Sequence, residues 1–422
     1  MKQNHKFNDE KHLTFKDVTL FILYTTMLEE IPNFQNIHKN FPDWKIEDEK
    51  VDKKFYYSRY IDAVSPCKVI TIPNLYLRGI DTNSFNSIVL SEENIYQKLV
   101  ENKPKFLDGT TLNVKVRVYP ERMCSFILRM DLRGEYEAEN LIALINGLMD
   151  RGAKVVLESG ESATLTGILY PYYSALLNST SDSQKTFSFY ESFSIIAPKY
   201  IEPQLRVEDY FNEPFNYYLF GVAIRRLEHF RDINMELAKQ NQKNIALYGS
   251  EIVMLNYHNM FAYVSEKHLP IEFYLRIMES LKSFAAILHY YDITTYKQLS
   301  AIKKFPTKLR ELKHITEKLE HTRINALKAI DTFRMLTSAS ATRIRMLMDH
   351  GIRIFELNSL EENLNYKLHE IEDLLSKQYN LQLQKQLQII TIILTIFATI
   401  VAVVGIIGLD RLVEFVKKLF GS

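Results

Sequence analysis

The residues whose spacing is most suggestive of a shared role are Gln384, Gln388, Thr391, Thr395, Thr399, Ala402 and Gly405. Steps of three and four place them on one stripe of a helix, with Ala398 beside it. Small and hydroxylated side chains on one face let helices in a bilayer approach closely and hydrogen-bond across the contact. A ring of such faces would also line a narrow polar pore. The plainer alternative is that each threonine hydroxyl bonds the carbonyl four residues back in its own helix.

Elsewhere the sequence is sparing with chemistry. It has no Walker A loop, no GxGxxG, no HExxH and no GxSxG elbow, so no catalytic residue and no metal site is assigned and a cofactor stays unknown. His258 and His289 fall on expected helices beside tyrosines, where packing accounts for them. The segment Glu158–Gly167 (ESGESATLTG) follows an expected strand and reads either as an anion-binding nest or as a plain polar loop. Arg225, Arg226, His229 and Arg231 form a basic cluster suited to an acidic headgroup, a nucleotide or a neighbouring subunit, or to a solvated face beside Glu228. Cys67 and Cys124 show no zinc spacing and are expected as buried thiols. The 52 basic and 51 acidic side chains nearly cancel, so nucleic acid is not indicated as a partner.

The stripe lies in a membrane segment. Between Lys385 and Asp410 run 24 residues without a charge. At about 1.5 Å per residue they reach roughly 36 Å, enough to cross a hydrocarbon core of about 30 Å. A buried core helix rarely runs so long and so apolar, so the lipid bilayer is the expected partner. Basic residues flank both ends (Lys377 and Lys385; Arg411, Lys417 and Lys418), so charge alone does not orient the span. No apolar h-region follows Met1, which leads to the expectation of a single-pass cell-membrane protein with residues 1–386 in the cytoplasm. The tail DRLVEFVKKLFGS is amphipathic, with Leu412, Val413, Phe415, Val416, Leu419 and Phe420 apolar, and suits the far interface.

The elements that must carry these residues give an α+β fold class. Strands are expected at Lys68–Ile72, Ser87–Leu90, Val114–Tyr119, Ser125–Met130, Ala153–Leu157 and Phe187–Ile196, rich in Val, Ile, Tyr and Phe and bounded by turn residues. Helices are expected at Val18–Glu30, Glu92–Val100 and Glu137–Arg151, the last stopped by Gly152. After Pro203 the pattern reads as almost wholly helical: Val207–Gln242, Glu251–Lys267, Ile271–Tyr290 and Thr307–Ser338. The last carries a heptad seam that includes Leu319, Thr322 and Ala326. Thr337–Thr342 and Gly351 mark a break, and GIRIFEL reads as a short strand or more helix. Ser359 with Glu362 reads as a capping box opening a helix without Pro or Gly from Leu360 to Val404. The domain organisation is therefore 1–204, a mixed α/β soluble domain; 205–358, helical; 359–386, a stalk helix; 387–409, the transmembrane helix; and 410–422, the tail.

The C-terminal third resembles the CorA-type magnesium transporter superfamily. The similar stretch is QLQIITIILTIFATIVAVVGIIGLD, with Thr391, Thr395-Ile396-Phe397, Gly405 and Gly408 in corresponding places. The resemblance implies a homo-oligomer whose long stalk helix continues into the pore-lining helix. The family's GMN signature is missing, since Leu409-Asp410 follow Gly408, and so is its second span. These departures turn the expectation from magnesium transport toward an oligomeric membrane effector that senses a ligand and signals through the stalk. A divergent CorA-type cation channel and a tail-anchored enzyme or scaffold are the alternatives.

Overall fold

The computed structural model describes residues 12–28, 31–48, 67–81, 107–119, 122–150, 152–177, 191–225, 243–265, 267–268, 270–302, 317–328, 330–331 and 342–420. In chain order the strands are β1 (Thr14–Met27), β2 (Lys45–Asp48), β3 (Lys68–Thr71), β4 (Leu75–Ile80), β5 (Thr111–Val118), β6 (Met123–Glu137), β7 (Lys154–Leu157), β8 (Ser162–Thr164), β9 (Glu191–Glu202), β10 (Ile252–Leu255) and β11 (Asn259–Tyr263). The helices are α1 (Phe34–Asn40), α2 (Ala138–Met149), α3 (Leu165–Leu176), α4 (Val207–Tyr210), α5 (Phe215–Ile224), α6 (Ile271–Ile302), α7 (Thr342–Ile354), α8 (Leu357–Ile407) and α9 (Leu409–Phe420). Residues 317–328 are also helical. The fold is α+β with one long C-terminal helix.

The chain divides into two compact units. The head comprises Met1–Ile293 with Ile324–Glu362, and the second unit comprises Thr294–Arg323 with Asn363–Ser422.

The head is built on one 11-stranded sheet in the order β10-β11-β9-β1-β6-β5-β4-β7-β8. β2 pairs with β3, and β3 with the Lys115–Val118 end of β5, while β4 takes the Thr111–Leu112 end. All pairings are antiparallel except β11 with β9. At the centre β1 pairs with β6 from Thr14↔Glu137 to Met27↔Met123. A bulge between Lys16 and Val18 puts Asp17 at φ 48°, and its carboxylate accepts from the Gly134 amide at 3.3 Å.

Helices cover both faces of this sheet. Leu20, Ile22 and Tyr24 of β1 join Val114, Val116, Phe126 and Leu128 under α2, α3 and α5. The alternate residues, Phe21 and Leu23 of β1, Ile127 of β6 and Phe193 and Ile195 of β9, pack beneath Tyr274, Met278 and Leu281 of α6 and Leu347 and Met348 of α7. Each such side chain contributes about 1.5–3 kcal/mol by leaving water.

This double burial corrects one expectation: 18–30 is not a helix but lies largely within the central strand β1. A strand covered on both faces loses its polar alternation and reads as an unbroken apolar run. The same cause corrects Glu251–Lys267, where the fully covered Ile252–Leu255 and Asn259–Tyr263 form a hairpin inside the stretch expected to be all helix. Within Val207–Gln242 the described part is two short helices, α4 and α5, the second ending at Arg225 with φ 56°. Residues 226–242, the strand expected at 87–90 and the helix expected at 92–100 lie outside the described residues.

Other expectations hold. β3, β5, β6, β7, β9 and α2 fall where the sequence puts them, although β6 and β9 run longer, and Gly152 (φ 66°) follows α2. α6 continues past Tyr290 to Ile302. GIRIFEL is mostly helix, and Gly351 lies inside α7 rather than at a break. A Cβ there would run into Leu281 Cδ1 of α6, so the glycine marks a close helix crossing. The long helix opens at Leu357, two residues before the Ser359 expected to cap it. Glu356, at φ 53°, makes the corner between α7 and α8.

In the second unit, Leu299 of α6, Leu319 and Ile371 of α8 pack together with Leu374 and Leu375 around them. Gln298 donates to the Thr322 hydroxyl at 3.0 Å, and Arg323 pairs with Glu372 at 3.1 Å. Leu319 and Thr322 of the expected seam are buried. Beyond Leu375 no residue of α8 with a described side chain is buried, and the window of mean hydropathy 2.7 within α8 has none of its length covered. It is long and apolar enough to cross a membrane. A core helix of a soluble protein would be covered, and a signal sequence would lie near the N-terminus.

Candidate functional site

Two groupings stand out: a charged cluster inside the head and the stripe on α8. In the first, α6 lays Arg276, Glu279, Lys282 and Ser283 over the sheet, one helical turn after another. Strand β5 supplies Arg117 and, just past its end, Tyr119; β6 supplies Ser125. Glu279 is 0% exposed. Its Oε2 accepts from Arg276 Nη1 at 2.9 Å and from Arg117 Nη1, while Oε1 accepts from the Tyr119 hydroxyl at 2.9 Å. Arg276 Nη1 also donates to the Tyr119 oxygen at 2.7 Å. Ser125 and Ser283 hydroxyls face each other at 3.4 Å.

Burial alone would raise the Glu279 carboxyl, but the two guanidiniums and the bonds from Arg276 and Tyr119 outweigh it and hold the group below its usual value. Burial pushes the Tyr119 hydroxyl well up, against the pull of Arg276. Burial, with the Glu279 charge nearby, likewise raises the Cys124 thiol.

Lys282, 1% exposed, sits in an aromatic box. Its ammonium lies 4.2 Å from the Tyr257 ring centroid, 4.1 Å from Phe355 and 5.5 Å from Phe193. A desolvated ammonium over aromatic faces gains about 2 kcal/mol per good contact. The box joins β9, the β10–β11 turn, α6 and the α7–α8 corner. Chemically, the carboxylate and both arginines are spent on one another, so the cluster acts as an electrostatic clamp between α6 and the sheet. Sequence reading missed it because its members are 160 residues apart and only the strand–helix packing unites them. The one local signal is Arg276, Glu279 and Lys282 at steps of three in an otherwise apolar helix face.

All seven stripe residues lie on α8, and all are exposed. Thr391 donates to Leu387 O at 2.8 Å, Thr395 to Thr391 O at 2.7 Å and Thr399 to Thr395 O at 2.7 Å. Each hydroxyl proton is therefore satisfied within the helix, the plainer of the alternatives, and each oxygen keeps an acceptor lone pair outward. Small side chains leave a shallow groove of about 550 Å³ along Thr391, Thr395, Ala398, Thr399 and Ala402. Residues 384, 388, 391, 395, 398, 402 and 405 follow a strict 4-3 alternation, and their types run Gln, Gln, Thr, Thr, Ala, Ala, Gly.

The remaining sequence candidates separate. His258 is in the β10–β11 turn, not on a helix; its carbonyl accepts from the Ser194 amide at 3.0 Å and its ring packs on Tyr257. His289 is on α6, partly covered. Glu158–Gly167 forms the β7–β8 turn and the start of α3. Its Gly160, Glu161 and Gly167 amides bond Leu157 O, Ser159 Oγ and Thr164 Oγ1, so they turn inward on the loop itself.

Arg225 is buried rather than part of a surface cluster; it pairs with Asp150 at 3.4 Å, while 226, 229 and 231 lie outside the described residues. Cys67 and Cys124 are both free and buried. The register Lys68↔Val118↔Cys124 sets the two thiols' strands two spacings apart, about 9.6 Å, beyond disulfide reach. Among the described residues no group of three or more His, Cys, Asp or Glu could hold a metal.

Comparison with known proteins finds no family model, no curated protein and no solved structure that matches this chain.

Proposed function

We propose that this is a single-pass membrane protein in which α8 crosses the bilayer, associates through its polar stripe into a homo-oligomer, and carries a signal from a ligand-sensing head in the cytoplasm. One observation carries the reading: α8 is a single 51-residue helix that begins in packed contacts and ends in a bare apolar rod. The 4-3 alternation supports oligomerisation, because a 3.5-residue repeat keeps one seam against a partner helix in a left-handed supercoil. Its small residues suit close approach in lipid, where apolar surface alone gives helices no reason to associate. The signalling role draws support from α6, which bears the clamp in the head and Gln298 and Leu299 in the second unit.

The test is cysteine scanning of residues 388–405 in native membranes, followed by oxidation. Cross-linking should peak at 391, 395, 398 and 402 and vanish at 393 and 400. A flat profile, or a monomeric mass in mild detergent, overturns the oligomer; release of the protein by alkaline carbonate overturns the span. The outward lone pairs of Thr391, Thr395 and Thr399 favour one second reading, a divergent CorA-type cation channel. Cation flux through reconstituted protein would select it.

A further inference from the structure

Helix α8 ends at Ile407, where Gly408 adopts φ 78° and its amide bonds Val404 O at 3.0 Å. A glycine in this left-handed conformation stops a helix and redirects the chain. A new helix, α9, starts at once and runs over Leu409–Phe420. On a wheel of 100° per residue, positions 409, 412, 413, 415, 416, 419 and 420, all apolar, fall within an arc of about 160°. Asp410, Arg411, Glu414, Lys417 and Lys418 occupy the opposite arc with no intrusion. Val413 and Val416, on this face, are 47% and 45% exposed.

Resting on the membrane-span reading above, we infer that α9 is an interfacial helix whose apolar face is seated in the headgroup–acyl boundary of the leaflet where α8 emerges. The occupant follows from continuity. The uncharged part of α8, from 386 to 407, is about 33 Å long, which fills a hydrocarbon core of about 30 Å. The Gly408 turn therefore falls at the lipid–water boundary, and a helix beginning there with one apolar and one charged face fits that boundary better than water or the core. Lys417 and Lys418 in its last turn oppose the negative end of the helix dipole and lie within reach of lipid phosphates. Seated this way, α9 fixes the depth and rotation of α8, and with them the direction in which the stripe faces.

The experiment uses full-length protein in phosphatidylcholine–phosphatidylglycerol vesicles, with a nitroxide on single cysteines at Val413→Cys, Val416→Cys, Glu414→Cys, Lys417→Cys and, within the span, Ile396→Cys. The native Cys67 and Cys124 are buried and label slowly. Relaxation by oxygen, which partitions into lipid, is compared with that by a water-soluble nickel chelate. The ratio is expected to be several-fold higher at 413 and 416 than at 414 and 417, and highest at 396. Four equal, water-like values in α9 with a lipid-like 396 would overturn the inference and leave the span intact. Low accessibility to both reagents at 413 and 416 would overturn it in favour of a second copy as the occupant. A water-like 396 would remove the span reading itself and α9's placement with it.

Discussion

Replacing Glu279 by alanine removes the one acceptor that three donors share. Arg276 Nη1, Arg117 Nη1 and the Tyr119 hydroxyl all end on its carboxylate, and the Arg276 side chain is only 9% exposed. Taking one partner from a buried ion pair costs about 3–5 kcal/mol, chiefly because the remaining charge is left unpaired. Arg117, with 16% of its side chain exposed, can turn toward water and recover part of that, so the expected loss is nearer about 3 kcal/mol. For a head of this size, with an unfolding entropy of about 2.1 cal/mol/K per residue, each kcal/mol lowers the melting temperature by roughly 1.4 °C, giving a fall of roughly 4 °C.

The assay is thermal unfolding of full-length protein in mild detergent, followed by near-ultraviolet circular dichroism. The double variant Arg276→Met, Glu279→Leu should regain only the Arg276 share of the loss, since the Arg117 and Tyr119 bonds to the carboxylate are still removed. A fall of less than about 2 °C for Glu279→Ala would refute the clamp and mean that the cluster is solvated. The pH dependence follows with its sign. A carboxyl depressed in the fold adds stability above its unfolded value near about 4.3, and that stability is lost as pH falls through the lower folded value. The gap between wild type and Glu279→Gln should therefore be full at neutral pH and close as the solution is acidified below about pH 4.

Gly351→Leu should destabilise the head by about 1–3 kcal/mol or more, because Leu281 already occupies the space, whereas a melting temperature equal to wild type would show that α6 and α7 can part freely. Asn259→Ala should lose about 2–3 kcal/mol, read by urea unfolding. Its amide donates to Val222 O and Ala223 O and its oxygen accepts from the Ser194 hydroxyl, all buried, so loss of less than about 0.5 kcal/mol would refute that accounting. Thr391→Leu with Thr395→Leu should leave membrane insertion intact and shift the detergent-solubilised mass toward monomer; an unchanged oligomer would move the seam elsewhere on α8. Neither cysteine should react with an aromatic disulfide reagent until the head unfolds; rapid labelling of the native protein would contradict their burial.

Which of these features the sequence reveals depends on what each element touches. α8 is legible from end to end: its outer part is bare, so its composition reports solvent alone, and its inner part keeps the spaced leucines 364 and 368 that a half-covered helix needs. β6 is recognisable over Ser125–Met130 from its apolar and aromatic residues, while its end, where Asp131, Arg133 and Glu135 reach solvent beside Leu132 and Tyr136, falls beyond the expected strand. β1 is not, because contact with helices on both sides removes the alternation that distinguishes a strand, and eight residues of unbroken burial fit either period. The hairpin at 252–263 fails for the same reason. Its one local signal is the Asn256–Asn259 turn, in which the Asn256 side chain accepts from the Tyr257 amide.

The clamp is a further step removed. Arg117 is one charge in an alternating strand and Glu279 one charge in an amphipathic helix, and each looks solvated until the strand and helix are laid together. The stripe shows the converse. Its residues are visible because they break an apolar run, yet a single chain leaves them uncovered, and their intrahelical bonds serve equally well in lipid alone or against a neighbour. What would separate those cases is the cross-linking profile along α8, peaked on one seam against a neighbouring helix and flat in lipid alone.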